Sequence, residues 1–194
     1  MDPNDAALVV RLRGGDTRAL TEVYERYQAR IWAFLLRLSG RRHVAEDLFQ
    51  ETWLHVARDA SRLRDDTDLP AWLFTVARNR HRSYRRWALL DFTRLLEFKA
   101  DPDTHAPAPD EEAMARAEAQ RAEAAFARLS PQHREVLLLV VGEGLEAAQV
   151  ATILDLTPEA VRQRLRRARV ELAALVEKVS SSGARAPGEK GAAR

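Results

Sequence analysis

Two stretches of the sequence bring together residue types suited to an anionic polymer. TPEAVRQRLRRARV, residues 157–170, holds five Arg and one acid. AWLFTVARNRHRSYRRW, residues 71–87, holds five Arg, no acid, and Trp72, Phe74, Tyr84 and Trp87 between them. Guanidinium forks suit phosphate oxygens and guanine edges. Arg interleaved with rings suits single-stranded nucleic acid, where charge tracks phosphate and rings stack on bases. The plainer alternative is an Arg-rich solvated face with Trp72 and Tyr84 in the core, which is the usual fate of an isolated basic helix. A membrane-surface helix fits poorly, because the aromatics of the second stretch fall on more than one face.

Other chemistry finds little support. The absence of Cys removes disulfides and thiolate zinc sites and fits a reducing cytosol. The five His show neither HExxH nor a zinc spacing. Asp65, Asp66 and Asp68 could hold a hard cation, but the Gly and distal Glu of a calcium loop are missing. No nucleophile elbow or phosphate-binding Gly loop occurs. No catalysis, metal or cofactor is expected. His55 and His81 read as surface or partner-facing residues.

The elements that must carry these side chains read as helices nearly throughout, since Ala, Leu, Arg and Glu dominate and no period-2 run appears. A short helix from about Asp5 to Arg13 stops at Gly14-Gly15. Asp16 then caps a long helix whose stripe runs Leu20, Val23, Tyr24, Tyr27, Ile31, Phe34, Leu35 and Leu38 and ends at Gly40. A third helix starts near His43 and buries Ala45, Leu48, Phe49, Thr52 and Val56. Pro70 suits the first position of a fourth, with Trp72, Leu73, Val76, Ala77, Arg80 and Tyr84 along one side. ADPDTHAPAPDEE, with three Pro and several acids, reads as a linker. Helical pattern resumes through EEAMARAEAQRAEAAFARL. Ser130-Pro131 looks like a cap and first-turn pair before PQHREVLLLVV, which Gly142 and Gly144 end.

The next two helices, EAAQVATIL and the one carrying the first basic stretch, match a helix-turn-helix. Ala151 is small where the helices must approach. Val150, Leu154, Leu156, Val161 and Leu165 face the shared core. Asp155 is expected in the left-handed region, which Asp tolerates. Thr157 caps and Pro158 opens the last helix, expected to run to about Val179. Its stripe of Val161, Leu165, Ala168, Leu172 and Leu175 sends Arg162, Gln163, Arg166, Arg167 and Arg169 outward. The turn placed before it favours a DNA-reading helix over a solvated face.

Whole-chain features agree. With 31 basic and 29 acidic residues the net charge of +2 says little. Its distribution says more: residues 101–119 carry six acids against one Arg, while the two Arg-rich helices are basic. The start, MDPNDAALVVRLRGG, lacks the features of a signal peptide, and no apolar run approaches the ~20 residues of a membrane span. A cytoplasmic protein without membrane insertion is expected. The reading is an all-α chain of two small helical domains, at 1–90 and 113–179. Residues 91–112 form a flexible acidic linker and 180–194 a disordered tail.

Three ordered motifs resemble a family. HVAEDLFQETWLHVAR is similar to region 2.2 of bacterial extracytoplasmic-function sigma factors, of the sigma-70 superfamily. AWLFTVARN resembles regions 2.3–2.4, and LSPQHREVLLLVVGEGLEAAQVATILDLTPEAVRQRLRRARVEL resembles region 4. The resemblance covers about residues 17–88 and 125–176, and includes regions 2 and 4 only. It implies a sigma factor that binds core RNA polymerase, at the β′ clamp helices and the β subunit, and directs promoter recognition. Asp47, Gln50 and Glu51 match the clamp-binding positions. Asn79 matches the residue at a pocket for a flipped −10 base, built from the loop before Pro70 and the helix after it. Arg78, Arg80 and Arg82 would contact the DNA backbone there. Arg162, Gln163, Arg166 and Arg167 match the −35 readers, with Thr157 donating to a phosphate. The family also implies an anti-sigma factor as a partner. The rival reading is a stand-alone LuxR-like regulator, which predicts an upstream sensor domain that residues 1–90 do not resemble. A helical bundle for protein interaction alone would not need two Arg-rich helices.

Overall fold

A computed structural model describes residues 3–90 and 111–183. All regular structure among them is helical. The order is α1 (Pro3–Arg13), α2 (Thr17–Ser39), α3 (Arg42–Asp59), a 3-10 turn (Ala60–Arg62), α4 (Leu69–Leu90), α5 (Glu111–Ala127), α6 (Pro131–Leu137), a π-turn (Leu138–Gly142), α7 (Ala147–Leu154) and α8 (Pro158–Gly183). The expected linker, residues 91–110 above all, lies outside the described residues.

The first unit packs α2, α3 and α4 against one another, with α1 laid across α2. Punctuation follows local chemistry. The Asp16 carboxylate accepts from the Arg18 N–H at 2.9 Å, and Arg11 holds the same carboxylate at 2.9 Å while reaching Glu22 at 2.7 Å. Gly40 takes φ 67° and closes α2 through its N–H to Leu36 O. A β-carbon would be strained there, so glycine is the natural terminator. Asp5 is buried, yet it accepts from the Tyr27 hydroxyl at 2.9 and 3.0 Å and from Arg26 at 3.0 Å. Burial and the Asp5 carboxylate push the Tyr27 hydroxyl well above its ordinary pKa. Tyr24, expected in the core stripe, instead sits at the edge in an aromatic cluster with Phe49 and Trp53. Asp68, rather than Pro70, sets the start of α4: its carboxylate accepts from the Ala71 N–H at 2.9 Å.

In the second unit α5, α6 and α7 pack on α8. Ser130 and Pro131 open α6 as expected, but the Ser130 hydroxyl makes no capping bond. Its backbone N–H donates to the Glu171 carboxylate of α8 at 3.2 Å, which supplies the partner from another element. The last helix runs to Gly183, a turn beyond the expected stop at Val179, so the first residues of the expected tail are helical.

The two units do not stand apart. One hydrophobic cluster runs from Leu8 through Phe34, Phe74 and Leu139 to Ala168, and α7 packs along α4. Arg30 of α2 donates to the Glu143 carboxylate at 2.9 Å and to its carbonyl at 3.0 Å. The π-turn presents Glu143 at that point, its N–H bonded to Leu138 O.

Candidate nucleic-acid interface

The helix-turn-helix is built as its spacing demands. Val150, Ala151, Ile153 and Leu154 are buried on α7, as are Val161 and Ala168 on α8. Asp155 adopts φ 57°, ψ 56°, and is the one non-glycine residue with positive φ among those described. Its N–H and that of Leu156 return to Ala151 O, closing α7. The Thr157 hydroxyl accepts from the Ala160 N–H at 3.2 Å and caps α8. Glu146 and Gln149 form a reciprocal capping box at the start of α7.

Behind this frame Arg162, Gln163, Arg166, Arg167 and Arg169 are all exposed, while Arg164 is half-buried. Glu159, Gln163, Arg166, Arg167, Val170 and Glu171 line an open groove of about 770 Å³ on the outer side of α8. Two features of this face escaped sequence reasoning. The Glu159 carboxylate accepts from Arg162 Nε at 3.0 Å and Nη2 at 2.7 Å, and these bonds hold it below the ordinary carboxylate range. Val170 is 66% exposed, an apolar patch amid the charges. The i,i+3 spacing of Glu159 and Arg162 was the available signal for the first. At the inner edge Glu171 pairs with His133 of α6, and this bond lowers its pKa.

On α4 the four expected −10 residues separate. Asn79 and Arg82 are exposed and Arg80 is half-buried. Arg78 is buried at the seam between the two units: its Nε donates to Glu135 of α6 at 3.1 Å and its Nη1 to Ile153 O of α7 at 3.0 Å. His81 is a correction. It is only 4% exposed, lying in the core rather than at the surface, because α4 is covered on this side by the second unit. Burial first, then the charges of Arg85, Arg134 and Arg78, pushes its imidazole down to about 4.

The acidic loop before α4 is neutralised from within. Asp65 pairs with Arg13, and Asp66 with Arg64 at 3.0 Å. Asp68 caps α4 and also accepts from Gln149 Nε2 at 2.9 and 3.1 Å. The three acids thus point to separate donors, and no metal-holding group of His, Cys, Asp or Glu occurs among the described residues.

On α3, Asp47, Gln50 and Glu51 are exposed. Their spacing puts them on one face. Leu54 belongs to that face and is 67% exposed, a residue sequence reasoning missed because its own spacing to Asp47 and Glu51 was not followed one turn further. Beside it Tyr24 and Trp53 meet edge to face at 4.8 Å.

The chain matches the family model of sigma-70 region 2 over residues 23–88 and that of sigma-70 region 4 over residues 119–172. It is 30% identical over 176 residues to the RNA polymerase sigma factor CarQ of Myxococcus xanthus, covering 90% of this chain and 99% of CarQ. It is 34% identical over 145 residues to the ECF RNA polymerase sigma factor SigL of Mycobacterium tuberculosis, covering 74% of this chain and 80% of SigL. Among solved structures it shares its fold with the sigma factor RpoE of Bartonella quintana in complex with the anti-sigma factor NepR. That match has a TM-score of 0.68 and 24% identity, and covers 81% of this chain and 96% of RpoE. The helix-turn-helix, the Arg-rich α4 and the polar α3 face therefore fall inside matched regions, and the chain belongs to the extracytoplasmic-function sigma factors of the sigma-70 family.

Proposed function

We propose that this sigma factor docks on the β′ clamp helices of core RNA polymerase through Asp47, Gln50 and Glu51, with contacts to the β subunit, and directs the enzyme to a two-element promoter. Asn79, Arg80 and Arg82 engage the melted −10 strand, while Arg78, buried against Glu135 and the Ile153 carbonyl, stands apart from them. Arg162, Gln163, Arg166 and Arg167 read the −35 duplex in the major groove, and Thr157 contacts a phosphate beside the N-terminus of α8. Sigma factors are initiation factors without catalysis of their own; the polymerase performs the chemistry. The observation that carries the reading is the outward sorting of four polar readers on a helix held behind a correctly closed helix-turn-helix. The matched relatives are sigma factors, which favours this reading over a LuxR-like regulator.

An anti-sigma partner is part of the proposal, supported by the RpoE–NepR complex. The site of action is the cytoplasm, where core polymerase and promoters are; no helix of the described residues is long and apolar enough to cross a membrane. Run-off transcription with purified core polymerase tests the whole. The expected result is a promoter-dependent transcript that requires this protein. No stable complex with core and no such transcript would instead favour a stand-alone regulator.

A further inference from the structure

Two carboxylates line the groove on the outer side of α8, and they are tied in different directions. Glu171 is held from the inner side, by His133 of α6 and by the Ser130 N–H at 3.2 Å. Glu159 turns instead to the reading face. One oxygen, Oε2, accepts from both Nε and Nη2 of Arg162, at 3.0 and 2.7 Å. The Arg162 bonds first, and a bond from Gln163 last, hold the Glu159 carboxylate below its ordinary range. Glu159 thus touches two of the four −35 candidates. Arg166 and Arg167 have no carboxylate partner among the described residues. We propose that Glu159 is a positioning residue for −35 readout, fixing the Arg162 fork so that it meets a guanine rather than a backbone phosphate. The inference rests on the sigma reading above.

A guanidinium carries five N–H donors in one plane. Glu159 takes the Nε–H and one Nη2–H, along one edge of that plane. Both Nη1 protons and the second Nη2 proton remain, and the end-on pair from Nη1 and Nη2 matches the O6 and N7 acceptors of guanine. An unheld Arg reaches phosphate and base edges through many rotamers, and ordering it on one base costs side-chain entropy. Holding the fork beforehand removes part of that cost. The pair is 60% and 63% exposed, so in the free chain it adds little stability. A docked duplex excludes water from the groove and strengthens it there.

The charge of Glu159 has a second consequence. A carboxylate in the first turn of α8 is favoured by the helix N-terminus, but it repels every phosphate that approaches. It therefore weakens binding to any duplex, while the Arg162–guanine contact restores affinity on the matching duplex alone. Specificity is that difference. Removing the carboxylate should raise affinity for unrelated DNA and lower the preference at one base. A side chain that served only the fold would not produce that split.

Holoenzyme assembled from the full chain and purified core polymerase is presented with a randomised duplex pool, and the bound DNA is sequenced. Glu159 and Arg162 are both exposed, so their variants keep the fold. The parent holoenzyme is expected to enrich a guanine at one −35 position, and Arg162→Ala to lose it there. Glu159→Ala should lower the guanine preference at that same position by roughly tenfold and leave the other positions intact. It should also tighten binding to a duplex that lacks both promoter elements. Glu159→Gln, which keeps an acceptor oxygen, should restore part of the preference. In an Arg162→Ala background, Glu159→Ala should change base preference no further. A cytosine preference that follows Glu159 and persists without Arg162 would make it a direct reader and overturn the proposal. An even loss across all positions, or an unaltered pattern, would overturn it as well. No enrichment of any two-element sequence by the parent holoenzyme would strike the sigma reading itself.

Discussion

Single residues carry the sharpest claims. Arg162 and Arg166 stand on the exposed side of α8, and a bidentate Arg–guanine contact contributes about 1–3 kcal/mol of discrimination. Replacing either by Ala should weaken binding of the −35 duplex by about that amount in a fluorescence-anisotropy titration. Unchanged affinity after both replacements would remove these residues from the reading. Glu159 complicates Arg162, because it already holds two of its donors. That pair is exposed, so it orients the guanidinium more than it stabilises the fold. His81 makes a different claim. Its folded pKa, about 4, lies below the ordinary 6.5, so the folded state keeps it neutral while the unfolded chain protonates. Its contribution is present above 6.5 and is lost as pH falls toward 4. Between pH 7 and pH 5 the loss is about 2 kcal/mol. Urea unfolding should show that decline in the parent protein and a smaller one in His81→Leu; equal declines would show that His81 is not its source.

At the scale of elements, the turn between α7 and α8 is the most exposed to substitution. Asp155 sits in the left-handed region at φ 57°, which costs an ordinary L-residue about 1–2 kcal/mol. Asp155→Gly should match or raise the unfolding midpoint, and Asp155→Val should lower stability by about 1–2 kcal/mol, both read by thermal denaturation. A stable valine variant would mean that the turn can reopen without cost. On α3 the face of Asp47, Gln50, Glu51 and Leu54 contributes almost nothing to the core, being solvent-exposed. Asp47→Ala with Glu51→Ala should therefore weaken binding to core polymerase, measured by co-elution, while leaving the thermal midpoint within about a degree. A drop in the midpoint would assign these residues to folding instead. The starts and stops of helices were legible for local reasons, as at Asp16, Gly40, Asp155 and Thr157, where one side chain or one backbone angle decides the outcome. The start at Ser130-Pro131 was legible too, but not its bonding: the Ser130 hydroxyl makes no capping bond, and its backbone N–H donates to Glu171, a residue of another helix.

For the whole molecule, the sequence by itself determined the all-helical class, the sequence of elements, the helix-turn-helix, and which side chains of α8 face outward. Each follows from a period or a cap spanning a few residues, and physical chemistry at that range is nearly independent of the rest of the chain. The family resemblance picked out Asp47, Gln50 and Glu51, and helical spacing puts them on one face. Only the tertiary structure decided that Arg78 is buried against Glu135, that Gln149 holds Asp68, that Arg30 holds Glu143, and that His81 lies in the core. Helical periodicity separates a buried face from an outer one within an element. It does not say which outer faces of two distant helices will meet. That choice belongs to the packing of α4 against α7 across a connection remote in sequence, where shared apolar area and the pairing of buried charges select one docking among many.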